Sequence, residues 1–81
     1  MLKLNVTTKM TPEQVIKSAL RFFGPEGYGL EVQEQSNSRI SLHGGGGRVE
    51  IYALTEGTGT SVDLVTREWE YKLKEFAGTL K

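Results

Sequence analysis

The alternation of apolar and polar residues between positions 30 and 65 limits most strongly how this chain can fold. Apolar residues recur at every second position there, which places them on one face of a strand and their polar neighbours on the other. Clusters of turn-forming residues interrupt the pattern at 36–38, 44–47 and 56–59. Because such short loops join antiparallel neighbours, this segment is predicted to form a four-stranded meander.

The alternation also predicts which residues face each other and which face the core. Three pairs are expected at the hairpin ends: Gln35 opposite Arg39, His43 opposite Arg48, and Thr55 opposite Thr60. The inner face is expected to carry Leu30, Val32, Ile40, Leu42, Val49, Ile51, Ala53, Val62 and Leu64. Glu34 would also point inward in this register. We therefore expect an edge position, fraying or a bulge at that residue.

Two helices and one further strand complete the predicted elements. Leu2, Leu4 and Val6 alternate with polar residues and predict a half-buried first strand rather than a signal peptide or membrane span. The segment Thr11–Gln14 combines an N-cap hydroxyl, a proline at the first helical position and Gln at the third, with Met10 and Val15 placed for a hydrophobic staple. A helix is thus predicted to start at this cap.

The first helix is expected to end at Gly24, which can adopt a left-handed conformation and is followed by Pro25. The second helix is predicted to open at Thr66. One side of it carries Trp69, Leu73, Phe76, Ala77 and Leu80. Trp69 begins this apolar side, so it is expected to be a core residue that anchors the second helix on the sheet.

Composition limits the function classes. Eighty-one residues suffice for one core, so we expect residues 1–81 to form a single α+β domain. Ten basic and ten acidic residues balance, which disfavours nucleic acid and anionic membranes as partners. The chain has one histidine and no cysteine, and its pattern predicts no catalytic, cofactor-binding or metal-binding residues. The lack of cysteine also favours a cytoplasmic location.

The order strand, helix, four-stranded meander, helix resembles the repeat unit of the TATA-binding-protein-like fold. It is also similar to an abbreviated version of the helix-grip (START-like) and plant-allergen-like domains. The likeness covers all 81 residues and is one of element order, with no shared motif. It implies that the first strand pairs with the fifth. The resulting fold is a two-layer α+β structure, with a five-stranded antiparallel sheet of order 1-5-4-3-2 and two helices on one face.

The four consecutive glycines at 44–47 are the most unusual stretch of the chain. They cost backbone entropy that ordinary turn residues would not, which suggests that something approaches the backbone closely. One hypothesis is an anion or ligand site formed by residues that the register brings together: Glu31, His43, Gly45, Gly46 and Arg48. The alternatives are a mobile hairpin tip and, for Glu31, His43 and Arg48, a solvated row of charges across three strands.

A second group on the outer face is a candidate contact surface: Arg39, Tyr52, Leu54 and Val65. Tyr and Arg are enriched in protein interfaces. A cation-π pair between Arg39 and Tyr52, with Asp63 beside it, would equally suit an ordinary sheet surface. The sequence therefore leaves both interpretations open.

Three functions follow from these observations. The first is a non-enzymatic binding or interaction module, whose partner is another protein or a second copy of the chain. The second, implied by the helix-grip resemblance, is a small-ligand-binding protein or minimal enzyme that uses a crevice between Trp69, Phe76 and the sheet, or the glycine loop. The third, implied by the other resemblance, is a nucleic-acid-binding half-domain that acts after dimerisation. Balanced charge on the outer positions disfavours this third function.

Overall fold

Seven elements follow one another in the predicted order β-α-β-β-β-β-α. The computed structural model describes residues 1–80. The strands and helices are β1 (Leu2–Thr8), α1 (Pro12–Phe23), β2 (Glu31–Gln35), β3 (Arg39–Gly44), β4 (Gly47–Glu56), β5 (Gly59–Arg67) and α2 (Glu70–Thr79). The five strands form one antiparallel sheet of order β1-β5-β4-β3-β2. The predicted α+β fold class and strand order are thus confirmed.

One core lies between the sheet and the two helices. α1 packs over β3 and β4, and α2 packs over β5. All the predicted inner-face residues except Val32 are buried in this core, together with Val15, Ile16, Ala19 and Phe23 of α1 and Leu73 and Phe76 of α2. The sheet therefore has an inner face covered by helices and an outer face that is free of them.

The register is as predicted at two of the three hairpin ends. His43 pairs with Arg48, and Thr55 pairs with Thr60. The pairing predicted for Gln35 is wrong, because Gln35 lies opposite Ile40 rather than Arg39. The cause is a bulge between Val32 and Glu34, one of the irregularities expected there.

The bulge keeps the Glu34 carboxylate out of the core. Glu34 is exposed, and its Oε2 accepts a hydrogen bond of 2.7 Å from Arg39 Nη1. Val32, which was expected in the core, is 37% exposed. Burying an unpaired carboxylate would cost more than leaving one valine half in water, so the edge strand shifts its register.

Two of the hairpin loops are tighter than the sequence suggested. Gly44 pairs with Gly47, and Glu56 pairs with Gly59, so each loop is reduced to two residues. In the first of these turns Gly45 has φ 59° and Gly46 has φ 80°. Two consecutive positive φ values are the signature of a type I′ turn, whose twist matches that of the flanking strands.

The predicted cap of α1 is present. Thr11 Oγ1 accepts a hydrogen bond of 3.2 Å from the Gln14 amide, and Gln14 Oε1 accepts one of 2.9 Å from the Thr11 amide. Thr60 Oγ1 donates to the Met10 carbonyl at 2.6 Å, which ties the start of α1 to β5. The helix ends at Gly24 as expected. However, Gly24 has φ −71° rather than a left-handed conformation.

The predicted start of α2 is wrong. Thr66 belongs to β5, and its Oγ1 donates to the Arg48 carbonyl at 2.7 Å, so this hydroxyl is satisfied within the sheet. Glu68 then turns the chain at φ 78°, and the helix begins at Glu70. Trp69 is the residue before the helix and is half-buried, rather than a fully buried residue of the helix itself.

We expect Thr11→Ala to lower the free energy of unfolding by about 1 kcal/mol, because it removes the acceptor for the Gln14 amide. Thr11→Ser is the matched control, since it keeps the hydroxyl and should stay close to the wild type. Urea denaturation followed by circular dichroism measures both variants. Equal stability of Thr11→Ala and Thr11→Ser would contradict this role of the cap.

Candidate functional site

The outer face of the sheet carries a row of charged residues at the end nearest the Gly45–Gly46 turn. Glu31 pairs with His43, and His43 pairs with Arg48, as the sequence predicted. The Glu31 Oε2 and His43 Nε2 atoms are 3.3 Å apart. The row continues to Arg67, which lies directly opposite Arg48 on β5. Four neighbouring strands thus each contribute one side chain to this row.

Arg67 is the member of the row that sequence reasoning missed. The second helix was predicted to open at Thr66, which would have removed Arg67 from the sheet. The signal that could have located it is the period-2 alternation of β5, since Ser61, Asp63, Val65 and Arg67 share one face. Extending that alternation by one step, from Val65 to Arg67, places Arg67 opposite Arg48.

This arrangement concentrates positive charge. Arg48 and Arg67 are both exposed, and like charges directly opposite each other destabilise a sheet. The nearest carboxylate to Arg48 is that of Glu50, whose Oε2 lies 3.9 Å from Arg48 Nη1. Glu50 also accepts a hydrogen bond of 2.9 Å from the Tyr52 hydroxyl. Within residues 1–80, Arg67 takes part in no ion pair.

An open depression lies beside the two arginines. It has a volume of about 450 Å³ and is lined by His43, Gly44, Gly46, Gly47, Arg48 and Arg67. Guanidinium groups donate hydrogen bonds in a planar fork that matches carboxylate and phosphate oxygens. The glycines add no side chains that would obstruct this space. The depression can therefore admit a small anion to both guanidinium groups.

Two residues of the predicted anion site do not line this depression. Gly45 faces Trp69, since a Cβ atom at Gly45 would lie 3.0 Å from Trp69 Cζ2. Glu31 contacts His43 but places a negative charge beside His43, Arg48 and Arg67, the three residues that form the basic row. The structure thus brings His43, Gly46 and Arg48 together and adds Arg67 to them.

Contact with Trp69 gives a structural reason for part of the glycine run. The indole Nε1 donates a hydrogen bond of 2.9 Å to the Gly44 carbonyl, and the ring lies against Gly45. The turn is therefore held from its inner side, where the sequence had suggested either a mobile tip or a close approach. The close approach is made by the protein's own tryptophan.

The crevice predicted between Trp69, Phe76 and the sheet is occupied by aromatic side chains. Phe76 is 1% exposed, and its ring centroid is 5.4 Å from that of Phe22. The rings of Tyr28 and Trp69 are 6.1 Å apart. These aromatic contacts lie where the second hypothesis places its ligand.

Two groups of α2 have shifted pKa values, and both lie away from the basic row. Hydrogen bonds from the backbone amides of Glu70 and Glu68 lower the pKa of the Glu70 carboxyl. The Tyr28 side chain, whose ring centroid lies 4.9 Å from Lys72 Nζ, and then the Glu75 carboxylate, 3.3 Å away, raise the pKa of Lys72. Glu70 thus accepts hydrogen bonds at the start of α2, and Lys72 attaches the helix to Tyr28.

The predicted contact surface is divided among different rows of the outer face. Arg39 pairs with Tyr52, and its Cζ lies 5.3 Å from the ring centroid, as a cation-π pair requires. Leu54 is 64% exposed, whereas Val65 is only half-exposed and lies opposite Glu50. The Tyr52 row separates these two apolar residues. They therefore do not form one continuous apolar patch.

The two edges of the sheet differ in regularity. β1 pairs with β5 along seven consecutive positions without a shift in register. Its inner-facing residues Leu2, Leu4 and Val6 are only half-buried. At the opposite edge, β2 is bulged and exposed along its whole length. β1 is thus the longer and more regular of the two edges.

In residues 1–80, no three His, Cys, Asp or Glu side chains are grouped so that they could hold a metal ion. No helix in the same part of the chain is long and apolar enough to cross a membrane.

Comparisons with known proteins bear on the fold. No family model and no curated protein matches the sequence. Among solved structures, the chain is similar to the solution structure of the Aha1 dimer from Colwellia psychrerythraea, with a TM-score of 0.60 and 15% sequence identity. The match covers 99% of this chain and 96% of that chain. At this identity the likeness shows a shared fold. The likenesses to TATA-binding-protein-like and helix-grip domains stay predictions.

The packing of Trp69 on the turn can be tested by comparing Gly45→Ala with Gly46→Ala. Both glycines have positive φ, so each substitution carries a similar backbone penalty of about 1–2 kcal/mol. Only the Cβ at position 45 would press on the indole, while position 46 has open space. We expect Gly45→Ala to be the more destabilising variant, by about 1 kcal/mol or more.

Urea denaturation gives this difference in stability, and fluorescence of the single tryptophan reports on its surroundings. Gly45→Ala should shift the emission spectrum, whereas Gly46→Ala should not. Equal stabilities and unchanged spectra for both variants would show that the indole does not rest on the turn.

Proposed function

We propose that this protein is a small non-enzymatic interaction module that acts as a homodimer, joined through the β1 edges of two copies. The observation that carries this proposal is the regular seven-residue edge of β1. An edge strand presents unpaired N–H and C=O groups, which a second strand can satisfy. Pairing of two β1 strands would also cover the half-buried Leu2, Leu4 and Val6.

The sequence of β1 suits an antiparallel pair with two-fold symmetry. A two-fold axis at Asn5 would place Leu4 opposite the partner's Val6, so that apolar residues meet on the inner face. The same axis places Lys3 opposite the partner's Thr7, which keeps the two lysines from facing each other. The strand can therefore pair with a second copy of itself without placing like charges opposite each other.

Features of the opposite edge favour β1 over β2. The bulge between Val32 and Glu34 interrupts the hydrogen-bonding pattern of β2, as native proteins do to protect an edge from pairing. β2 also carries the exposed carboxylates of Glu31 and Glu34. β1 has no such protection apart from the single charge of Lys3.

The similar solved structure gives separate support for a second copy as the partner. That protein, Aha1 from Colwellia psychrerythraea, shares the fold along nearly its whole chain and is a dimer. We also propose a cytoplasmic location, on the basis of the cysteine-free sequence.

Val6→Lys tests the interface by placing a charge on the inner side of the β1 edge. The wild type should have a mass in solution of twice the 9.0 kDa chain mass at high concentration. Val6→Lys should have the mass of one chain. Val32→Lys is the matched control, because it places the same substitution on the other edge strand and should leave the dimer intact.

Light scattering coupled to size-exclusion chromatography, over protein concentrations up to about 1 mM, measures the mass of each variant. Circular dichroism verifies that the variants are folded. Leu54→Lys tests the outer face as a competing interface, since Leu54 is the most exposed leucine of the described residues. A monomeric wild type at every concentration, or dissociation by Leu54→Lys but not by Val6→Lys, would contradict the β1 interface.

A further inference from the structure

We infer that the outer face also holds a binding site for a small phosphate dianion, formed by Arg48, Arg67 and His43 beside the Gly45–Gly46 turn. This site goes beyond the proposed homodimer and does not depend on it. The ligand class is inorganic phosphate or a small phosphate monoester, whose oxygens match the guanidinium donors.

The first observation is the placement of two like charges at directly opposite positions. Arg48 pairs with Arg67 across β4 and β5, and the unliganded sheet bears the resulting repulsion. The contact between Arg48 and Glu50, at 3.9 Å, is long for a hydrogen-bonded ion pair. A bound dianion between the guanidinium groups would replace this repulsion with two attractions.

The second observation is the shape of the surface at this place. The depression of about 450 Å³ is bounded by both arginines, His43 and glycines of the turn. Trp69 supports the turn from the opposite side through its hydrogen bond to the Gly44 carbonyl. The turn that forms one wall of the site is therefore held in place before a ligand arrives, which lowers the entropy cost of binding.

The third observation distinguishes these arginines from the other arginine of the outer face. Arg39 is already bound to Glu34 at 2.7 Å and lies over the Tyr52 ring. Its charge is thus neutralised within the protein. Arg67, in contrast, has no ion-pair partner within residues 1–80, so its charge is available to a ligand.

Titration with sodium phosphate, followed by amide NMR spectra at constant ionic strength, tests the site. We expect saturable shifts at residues 43–48 and 66–68 for the wild type. Arg48→Gln and Arg67→Gln should each weaken phosphate binding about tenfold or more. Arg39→Gln is the matched control on the same face and should bind phosphate like the wild type.

Glu31→Gln should change phosphate affinity in the opposite direction from the arginine variants. Because the Glu31 carboxylate lies beside His43, its removal should tighten phosphate binding several-fold. Val6→Lys should bind phosphate unchanged, so that failure of the dimer proposal and failure of the anion site can be told apart. Phenyl phosphate in place of inorganic phosphate establishes whether a monoester is accepted, and equal or tighter binding of it supports the wider ligand class.

Thermal unfolding with and without phosphate distinguishes phosphate binding by Arg67 from a purely structural role of this residue. Without phosphate, Arg67→Gln should be as stable as the wild type or more stable, because it relieves the repulsion with Arg48. Phosphate should raise the melting temperature of the wild type by more than that of Arg67→Gln at the same phosphate concentration.

Several results would overturn the inference. One is the absence of any saturable shift up to about 10 mM phosphate. Another is an equal loss of binding in Arg39→Gln, which would place the anion elsewhere on the face. A third is an oligonucleotide that binds far more tightly than phosphate, with shifts across the whole outer face, since the ligand would then be a nucleic acid rather than a small anion.

Discussion

The contact between the Trp69 indole and the Gly45–Gly46 turn determines the arrangement of one whole end of the molecule. It joins the β3–β4 hairpin to the segment that leads into α2, through the hydrogen bond to the Gly44 carbonyl and the ring packed against Gly45. Trp69 lies between β5 and α2, so the residue that contacts the turn precedes the helix. β5 ends just before this segment at Arg67, which is the last member of the basic row on the outer face.

The elements that the sequence predicted well are those specified by local interactions. The α1 cap depends on atoms of Thr11 and Gln14, which are three residues apart. The order of β2 to β5 follows from the short loops between them, whereas the pairing of β1 with β5 was implied by the resemblance in element order. The pairing of His43 with Arg48 follows from period-2 alternation and a turn between them, so two members of the candidate site were already aligned by the sequence.

What the sequence did not predict depends on distant contacts. A threonine is a common N-cap, and nothing near Thr66 in the chain shows that its hydroxyl instead donates to the Arg48 carbonyl. The same contact keeps Thr66 in β5 and explains why Arg67 was overlooked. At Glu34 the sequence predicted an irregularity but not the residue that pairs with the carboxylate, because the ion pair with Arg39 joins two different strands.

The position of β1 has a consequence for how the chain folds. β1 pairs with β5, so residues 2–8 meet residues 60–66, and the closing contacts span most of the chain. The meander and α1 form from neighbouring segments, whereas the pairing of β1 closes a loop of more than 50 residues. The entropy cost of closing this loop arises before the contacts that offset it have formed. We therefore infer that β1 joins the sheet late in folding. In that order of events β5 is itself an edge until β1 pairs with it, and the apolar side chains beside it stay exposed to water.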